Sequence, residues 1–553
     1  MSRSPLFAKL RRSFGIARMA NELRISTPEA IERAQAAEAG FFAAKRSRRE
    51  ILVGGGALAA ATFASGCMGG GGSPDDLGRT SQLARSRGGA PSIGIVGAGF
   101  AGLVCADALN GYGISSVVHD AATRVGGRCF SMGGTFSSPI SIPGQTAERG
   151  GEYIDTGHKT LINLARAFGL TLEDVSKEPG EVFYYFDGQA HPESVVVDEY
   201  RALVAAMHVD LRASSGAPTA LAHNEADIAL DHTSLAEYLV TRGAGPVVTK
   251  AIEEAYLAEY GIEPSEQSCL AFLLFIHADK RSKFTPFGVF SDERYHVVEG
   301  NQAIAEGLRG RLAGQLRMGQ ALTRARKTSS GAVELTFREG SRTVTATYDA
   351  VVFAIPFSTL REVELDASLG LPDWKLRAID ELVYGTNAKM MVGFNGPHWR
   401  ALGSNGAAYS DLPNCQTVWE TNPTRATSRY AILTDYSGGE RGARLRPDRV
   451  QDEATRFLTD LDRVFPGSLA NARTDRGKYV AHLEHWPSNP LTRGSYTANH
   501  LGYFTQLADL EGPSVGNVLF AGEHASSFYV WQGFMEGAAL SGLDAADEIR
   551  RAF

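Results

Sequence analysis

Three glycines in the run Gly97-Ala98-Gly99-Phe100-Ala101-Gly102 stand between a short β-branched stretch, Ile93 to Val96, and an apolar helical stretch, Leu103 to Leu109. Strand, glycine turn and helix in that order suit a diphosphate bridge. Gly97 permits the tight turn, Gly99 lets backbone amides approach a pyrophosphate, and Gly102 lets the helix pack on the strand, so that the positive end of the helix meets the anion. Phe100 and Ala101 open that helix and belong to the same binding surface. A second β stretch, Ser116 to His119, ends at Asp120, whose carboxylate can accept hydrogen bonds from a ribose. These residues predict a dinucleotide site and leave nicotinamide and flavin both open.

The elements that hold such a site must supply a parallel sheet, and the chain is long enough to build one. It has 553 residues, 43% of them apolar and 21% charged, which predicts about two domains with large cores. Buried-strand patterns recur at Val351 to Pro356, Met390 to Phe394 and Val518 to Ala521, and a long helical pattern runs from Val248 to Leu257. Residues 1–67 carry 11 Lys and Arg against 5 Asp and Glu, leaving 44 basic and 57 acidic residues in the body. A body of that sign has no electrostatic footprint for nucleic acid. The five cysteines show no CxxC pair and no metal-ligand spacing, so neither a metal site nor a disulfide framework is expected.

The choice of cofactor comes from resemblance. Arg124-Val125-Gly126-Gly127-Arg128 resembles the second glycine motif of the two-dinucleotide-binding-domain flavoproteins, which implies that Arg128 lies against the FAD pyrophosphate. Further segments resemble the flavin amine oxidases, the family of monoamine, polyamine and L-amino acid oxidases, and together they cover roughly residues 92–553. In Glu148-Arg149-Gly150-Gly151-Glu152 the resemblance brings Gly150, Gly151 and Glu152 close to the isoalloxazine. Glu299-Gly300-Asn301-Gln302 and the strand Val351 to Pro356 match the returning part of the FAD domain. In Gly385-Thr386-Asn387-Ala388-Lys389 it implies a lysine that reaches flavin N5 through a water; by residue type alone, a lysine at a strand edge is solubilising. At the C-terminal end, Gly522-Glu523 and Trp531-Gln532-Gly533-Phe534-Met535 are implied to bind the cofactor, with a helix starting under the flavin. The implied fold is α/β with the two-domain flavin amine oxidase architecture. A discontinuous Rossmann-like FAD domain takes 92–157, 290–357 and 482–553, and a mixed α/β substrate domain takes 158–289 and 358–481.

Departures from the family pattern carry further expectations. Covalent relatives have a cysteine before a Tyr-Thr pair, where this chain reads Ser495-Tyr496-Thr497, so FAD is expected to be held non-covalently. The facing tyrosines of monoamine oxidases are read onto Asn499 and Phe534, leaving a cage with one wall missing. Venom-type L-amino acid oxidases bind the substrate carboxylate with an arginine where this chain has Ile154. Arg149 or some arginine of the substrate domain then becomes the candidate partner, with an ion pair to Glu148 or Glu152 as the alternative role of Arg149. The candidate catalytic residues are Lys389, Phe534 and Arg149. The expected reaction oxidises the C–N bond of a primary amine or L-amino acid to an imine and reduces O2 to H2O2, the lost cage weighting the reading towards L-amino acids. A dehydrogenase passing electrons to a cytochrome or quinone, a carotenoid-desaturase-like enzyme and a non-catalytic flavin-binding protein are the alternatives. A homodimer is compatible with this reading.

The N-terminus reads as an address. Arg48 and Arg49 precede an uncharged run, Ile51 to Gly66, that resembles a twin-arginine export signal, and Ala64-Ser65-Gly66-Cys67 resembles a lipobox that would lipidate Cys67. Residues 1–67 are therefore a leader and 68–91 a flexible linker. The expected location is periplasmic, as a free or membrane-anchored lipoprotein.

Overall fold

The computed structural model of the protein describes residues 25–27, 29, 90–175, 179–277, 291–427 and 429–553. Arg48, Arg49, Cys67 and the linker up to residue 89 lie outside the described residues. Of the leader, Ile25 and Thr27 are described, where they accept hydrogen bonds from Arg201 on the helix Glu193–Ala213.

Two large sheets organise the chain. The first has five parallel strands in the order Val518–Phe520, Ala350–Phe353, Ile93–Val96, Ser116–Asp120, Leu316–Met318. Parallel sheets need crossovers that cover both faces, so their strands read as continuous apolar runs; Ile93–Val96, Ala350–Phe353 and Val518–Phe520 are buried at every position. Side chains alternate between the faces. Ile93, Ile95, Val118 and Val352 pack with the helices Phe100–Gly111, Gln302–Arg311 and Met535–Ala552. Val96, Val351 and Phe353 belong to the core that includes Leu335 and Phe337 of a four-stranded sheet built from Gln320–Lys327, Val333–Glu339, Arg342–Tyr348 and Glu364–Leu365. The glycine turn leaves the carboxyl end of the middle strand, Ile93–Val96, where ligand crevices of open α/β sheets lie.

The second sheet has seven strands in the order Ala481–His485, Ala388–Phe394, Ala431–Ser437, Cys415–Glu420, Ser404–Leu412, Glu181–Phe186, Gln189–His191. Every pairing is antiparallel except that of Ser404–Leu412 with Glu181–Phe186. On one face Ala388, Met390, Val392, Val418 and Leu433 pack with Ala454, Phe457, Leu458 and Leu461, the core-facing stripe of the amphipathic helix Val450–Val464. Register places Lys389, Tyr436, Thr417, Tyr409 and Tyr184 side by side on the other face. That face carries aromatic side chains from strand to strand: Trp419 and Tyr436 meet edge to face at 5.6 Å, and Tyr184 and Tyr409 stack at 5.7 Å.

Candidate active site

At the glycine turn, the helix Phe100–Gly111 starts from Gly99 with no side-chain cap, so its first amides are offered outward. A Cβ added to Gly99 would meet nothing within 4 Å, whereas one on Gly102 would come within 1.9 Å of the Gly97 carbonyl oxygen. The first glycine thus keeps space open in front of the helix and the second permits close packing behind it. Both Asp120 oxygens are pinned, one accepting from the Ala98 amide at 2.6 Å and the other from the Ala122 amide at 2.7 Å. Burial lifts the Asp120 pKa, against the pull of those two amides.

Arg128 ties this turn to the far end of the chain. Its Nη1 donates to the Ser495 carbonyl at 2.9 Å and to Glu523 Oε1 at 2.7 Å. The other Glu523 oxygen accepts from the Thr497 hydroxyl at 2.9 Å and from the Gly533 amide at 3.1 Å. Burial pushes the Glu523 carboxyl up, yet the Arg128 guanidinium and its hydrogen bond outweigh it and hold the group below its usual range.

The double-glycine segment meets the second sheet at Lys389. Its Nζ donates to Glu152 Oε2 at 2.6 Å, to the Gly150 carbonyl at 2.9 Å and to the Glu148 carbonyl at 3.1 Å, using all three of its protons. Trp419 Nε1 donates to the second Glu152 oxygen at 3.0 Å. Asn301 fastens the segment from behind, donating from its side chain to the carbonyls of Gly151 at 3.0 Å and Glu152 at 2.6 Å and from its amide to Glu148 Oε1 at 2.8 Å. Burial pushes Glu148 up to about 8, against the pull of the Asn301 amide and the Ser131 hydroxyl and with the repulsion of Glu152. Gly151 donates to the Arg128 carbonyl at 3.1 Å, so the arginine and lysine halves of the site share one piece of backbone.

An aromatic group covers the turn before the closing helix. Phe534 is buried at the N-cap of Met535–Ala552 and meets Trp531 at 5.3 Å and His158 at 5.4 Å, all edge to face. Burial drives the His158 pKa down to about 3, so the imidazole packs as a neutral ring. One residue after Met535, which is itself buried, Glu536 accepts from the Thr160 and Leu161 amides at 2.8 and 2.9 Å and so caps the helix Lys159–Ala167 from another element.

The structure therefore links Arg128, Gly150, Gly151, Glu152, Lys389, Glu523 and Gly533 through direct hydrogen bonds. It places Arg149 in an ion pair that the sequence did not indicate. The Arg149 Nε pairs with Glu484 at 2.5 Å and its guanidinium lies 3.8 Å from the centroid of the Phe130 ring, so its ion-pair partner is neither Glu148 nor Glu152. Lys389 is no strand-edge residue: its strand is paired on both sides and the side chain is 4% exposed. Asn499, read as the missing cage wall, is buried. The Asn499 carbonyl accepts from the Ser268 amide, and its side-chain nitrogen has no hydrogen-bond partner among the described residues. The aromatic residues near Lys389 are Trp419 and Tyr436, with Tyr436 reaching the Tyr496 hydroxyl at 3.3 Å. Sequence reasoning passed over Trp419, Tyr436, Asn301 and Glu536 in these roles. For Tyr436 and Trp419 the available signal was period-two spacing in buried strands, Tyr436 with Thr434 and Trp419 with Thr417.

Comparison with known proteins gives a consistent picture. The sequence profile described as flavin containing amine oxidoreductase matches residues 100–550. The putative L-amino-acid oxidase YobN of Bacillus subtilis is 29% identical over 207 residues, a match covering 37% of this chain and 41% of that protein. The flavin-dependent L-tryptophan oxidase RebO of Lentzea aerocolonigenes is 27% identical over 496 residues, covering 83% of this chain and 97% of its own length. Among solved structures, cyclohexylamine oxidase from Brevibacterium oxydans shares the fold with a TM-score of 0.69 at 22% identity, covering 84% of this chain and 99% of that one.

Proposed function

Because the chain belongs to the family of flavin containing amine oxidoreductases, an oxidoreductase family acting on amines or amino acids, we propose that it is an FAD-dependent oxidase for a primary amine or an L-amino acid. The observation that carries this reading is Lys389, an ammonium fixed among the carbonyls of Glu148 and Gly150 and the carboxylate of Glu152, although the two segments are more than two hundred residues apart.

The residues present suit FAD. Open space before Gly99 and uncapped helix amides fit a pyrophosphate, and Asp120 fits a ribose. Arg128 and Glu523, the backbone of Gly150 and Gly151, and the turn Gly533-Phe534-Met535 would hold the remainder. The hydroxyl of Ser495, which stands where covalent relatives carry cysteine, donates to Asn387 at 2.5 Å and can form no thioether, which supports non-covalent binding. When bound, FAD supplies two-electron oxidation of the C–N bond to an imine, which water hydrolyses to a carbonyl and ammonia, with O2 reduced to H2O2. The chain itself contributes a water-poor enclosure in which the Lys389–Glu152 pair is a preorganised dipole against the double-glycine backbone. Trp419 and Tyr436 give the substrate flat walls, and Phe534 with neutral His158 closes the side of the closing helix. With Arg149 Nε engaged by Glu484, an α-carboxylate would be met by its remaining donors or by an arginine of the substrate domain, and the likeness to YobN and RebO supports an amino acid.

A panel of amines and L-amino acids read out by peroxide under air tests the proposal. Turnover of at least one substrate, with all yellow colour released on acid precipitation, is expected. Colour kept in the pellet would contradict non-covalent binding. We also propose export through the twin-arginine signal, for which lysine at both Arg48 and Arg49 should trap active enzyme in the cytoplasm.

A further inference from the structure

Beneath the turn that carries Gly533 and Phe534 lies a polar network outside the family motifs apart from Gln532. Its centre is Glu511, only 2% exposed, in the connection between the helix Tyr503–Gln506 and the strand Val518–Phe520. Glu511 Oε1 accepts from the Tyr503 hydroxyl at 2.7 Å and from Gln532 Nε2 at 3.2 Å. The same Gln532 nitrogen reaches the Tyr503 oxygen at 2.7 Å and the His524 carbonyl at 3.3 Å. Lys375, fully buried on the helix Asp373–Glu381, donates to the carbonyls of Leu510 and Glu511 at 2.7 Å each.

Burying a carboxylate and an ammonium costs several kcal/mol per ion unless their geometry is well satisfied. Burial pushes the Glu511 carboxyl up to about 7 and the Lys375 amine down to about 7, and the two side chains do not simply face each other. Lys375 fixes the backbone of Glu511, and the side chain of Glu511 fixes Gln532. Gln532 precedes Gly533, whose amide is held by Glu523. Two bonds therefore join the turn at Gly522-Glu523-His524 to the turn at Trp531-Gln532-Gly533-Phe534: Gln532 to the His524 carbonyl, and Gly533 to the Glu523 carboxylate. Removing Glu511 leaves the second bond and takes away an acceptor shared by Gln532 and the Tyr503 hydroxyl, so that Gln532 is held by Tyr503 and the His524 carbonyl without the carboxyl that fixes both side chains.

We propose that Glu511 is a positioning residue for the flavin, holding Gln532 so that the turn through Gly533 and Phe534 presents a fixed seat to the isoalloxazine, with Lys375 as its anchor. The inference rests on the FAD reading given above. Carboxylate and amide share an acceptor oxygen of the same reach, so Glu511→Gln preserves the seat and Glu511→Leu removes it.

The test uses FAD-loaded full-length enzyme, with four readouts: FAD dissociation constant, absorption spectrum of the bound flavin, its reduction potential and the melting temperature of the apoprotein. Glu511→Leu and Gln532→Leu should each weaken FAD binding by at least about tenfold and shift the flavin spectrum and potential in the same direction, while Glu511→Gln stays within about twofold of the parent. The double leucine variant should lose little more than Gln532→Leu alone, because Glu511 acts on the seat through Gln532. If Glu511→Leu does not fold, Gln532→Leu and Glu511→Gln carry the same comparison. A lower apoprotein melting temperature with flavin spectrum, potential and affinity unmoved would overturn the positioning role. A parent chain that takes up no FAD would overturn the functional reading, and this proposal with it.

Discussion

At the scale of single residues, the Lys389–Glu152 pair decides how the site can be tested. Both groups are almost wholly buried, so removing one leaves the other as an uncompensated charge. Lys389→Met should therefore cost roughly 3–5 kcal/mol of stability as well as activity. Adding Glu152→Gln should restore most of the stability and leave turnover at least about tenfold below the parent. Thermal melts alongside steady-state rates check this; a double variant with parental turnover would make the lysine structural. Glu148 gives a pH signature. Its carboxyl ionises near 4.5 when unfolded and at about 8 when folded, raised first by burial. Between those values the folded state binds the extra proton, so its contribution to stability is fully present below about 4.5 and is lost as the pH rises through 8. Glu148→Gln lacks this falling contribution, so its slope of stability against pH across that window should be more positive than the parent's by up to about 1.4 kcal/mol per pH unit. An unchanged slope would mean that Glu148 is ionised at neutral pH.

Between elements, the crossing of the helices Phe100–Gly111 and Met535–Ala552 joins the glycine turn to the closing helix. A Cβ on Gly542 would lie 2.2 Å from the Ala101 carbonyl oxygen, so Gly542→Ala should force the helices apart, cost about 1–3 kcal/mol and weaken FAD retention. Gly310→Ala, on a helix position where the added Cβ meets nothing within 4 Å, should instead gain about 0.5–1 kcal/mol. Melting temperatures of the two variants separate close packing from general helix propensity; equal effects would refute the packing argument. The same contrast explains what could be read from the chain. The glycine turn after Ile93–Val96 and the Gly522–Met535 region were legible because their parts are neighbours in sequence. The partners of Arg149 and Lys389 were not, because Glu484, Trp419 and Tyr436 arrive from separate strands whose order no local pattern encodes. Even so, Met390-Met391-Val392 shows no polar alternation, which is the mark of a strand buried on both faces and argues against an edge for Lys389.

For the molecule as a whole, two sheets meet where three distant segments converge: Arg128 with the double glycines, Lys389 from the second sheet, and Glu523 with the start of the closing helix. This junction is where FAD would sit and take electrons from a C–N bond. Anaerobic mixing of the FAD-loaded enzyme with a panel of primary amines and L-amino acids, watched through the flavin absorbance, tests that claim most directly. The predicted result is rapid bleaching of the bound flavin by at least one member of the panel and recovery of the yellow colour on admitting air. Flavin that stays oxidised with every amine and amino acid, yet bleaches fully with a chemical reductant, would rule out amine oxidation at this junction.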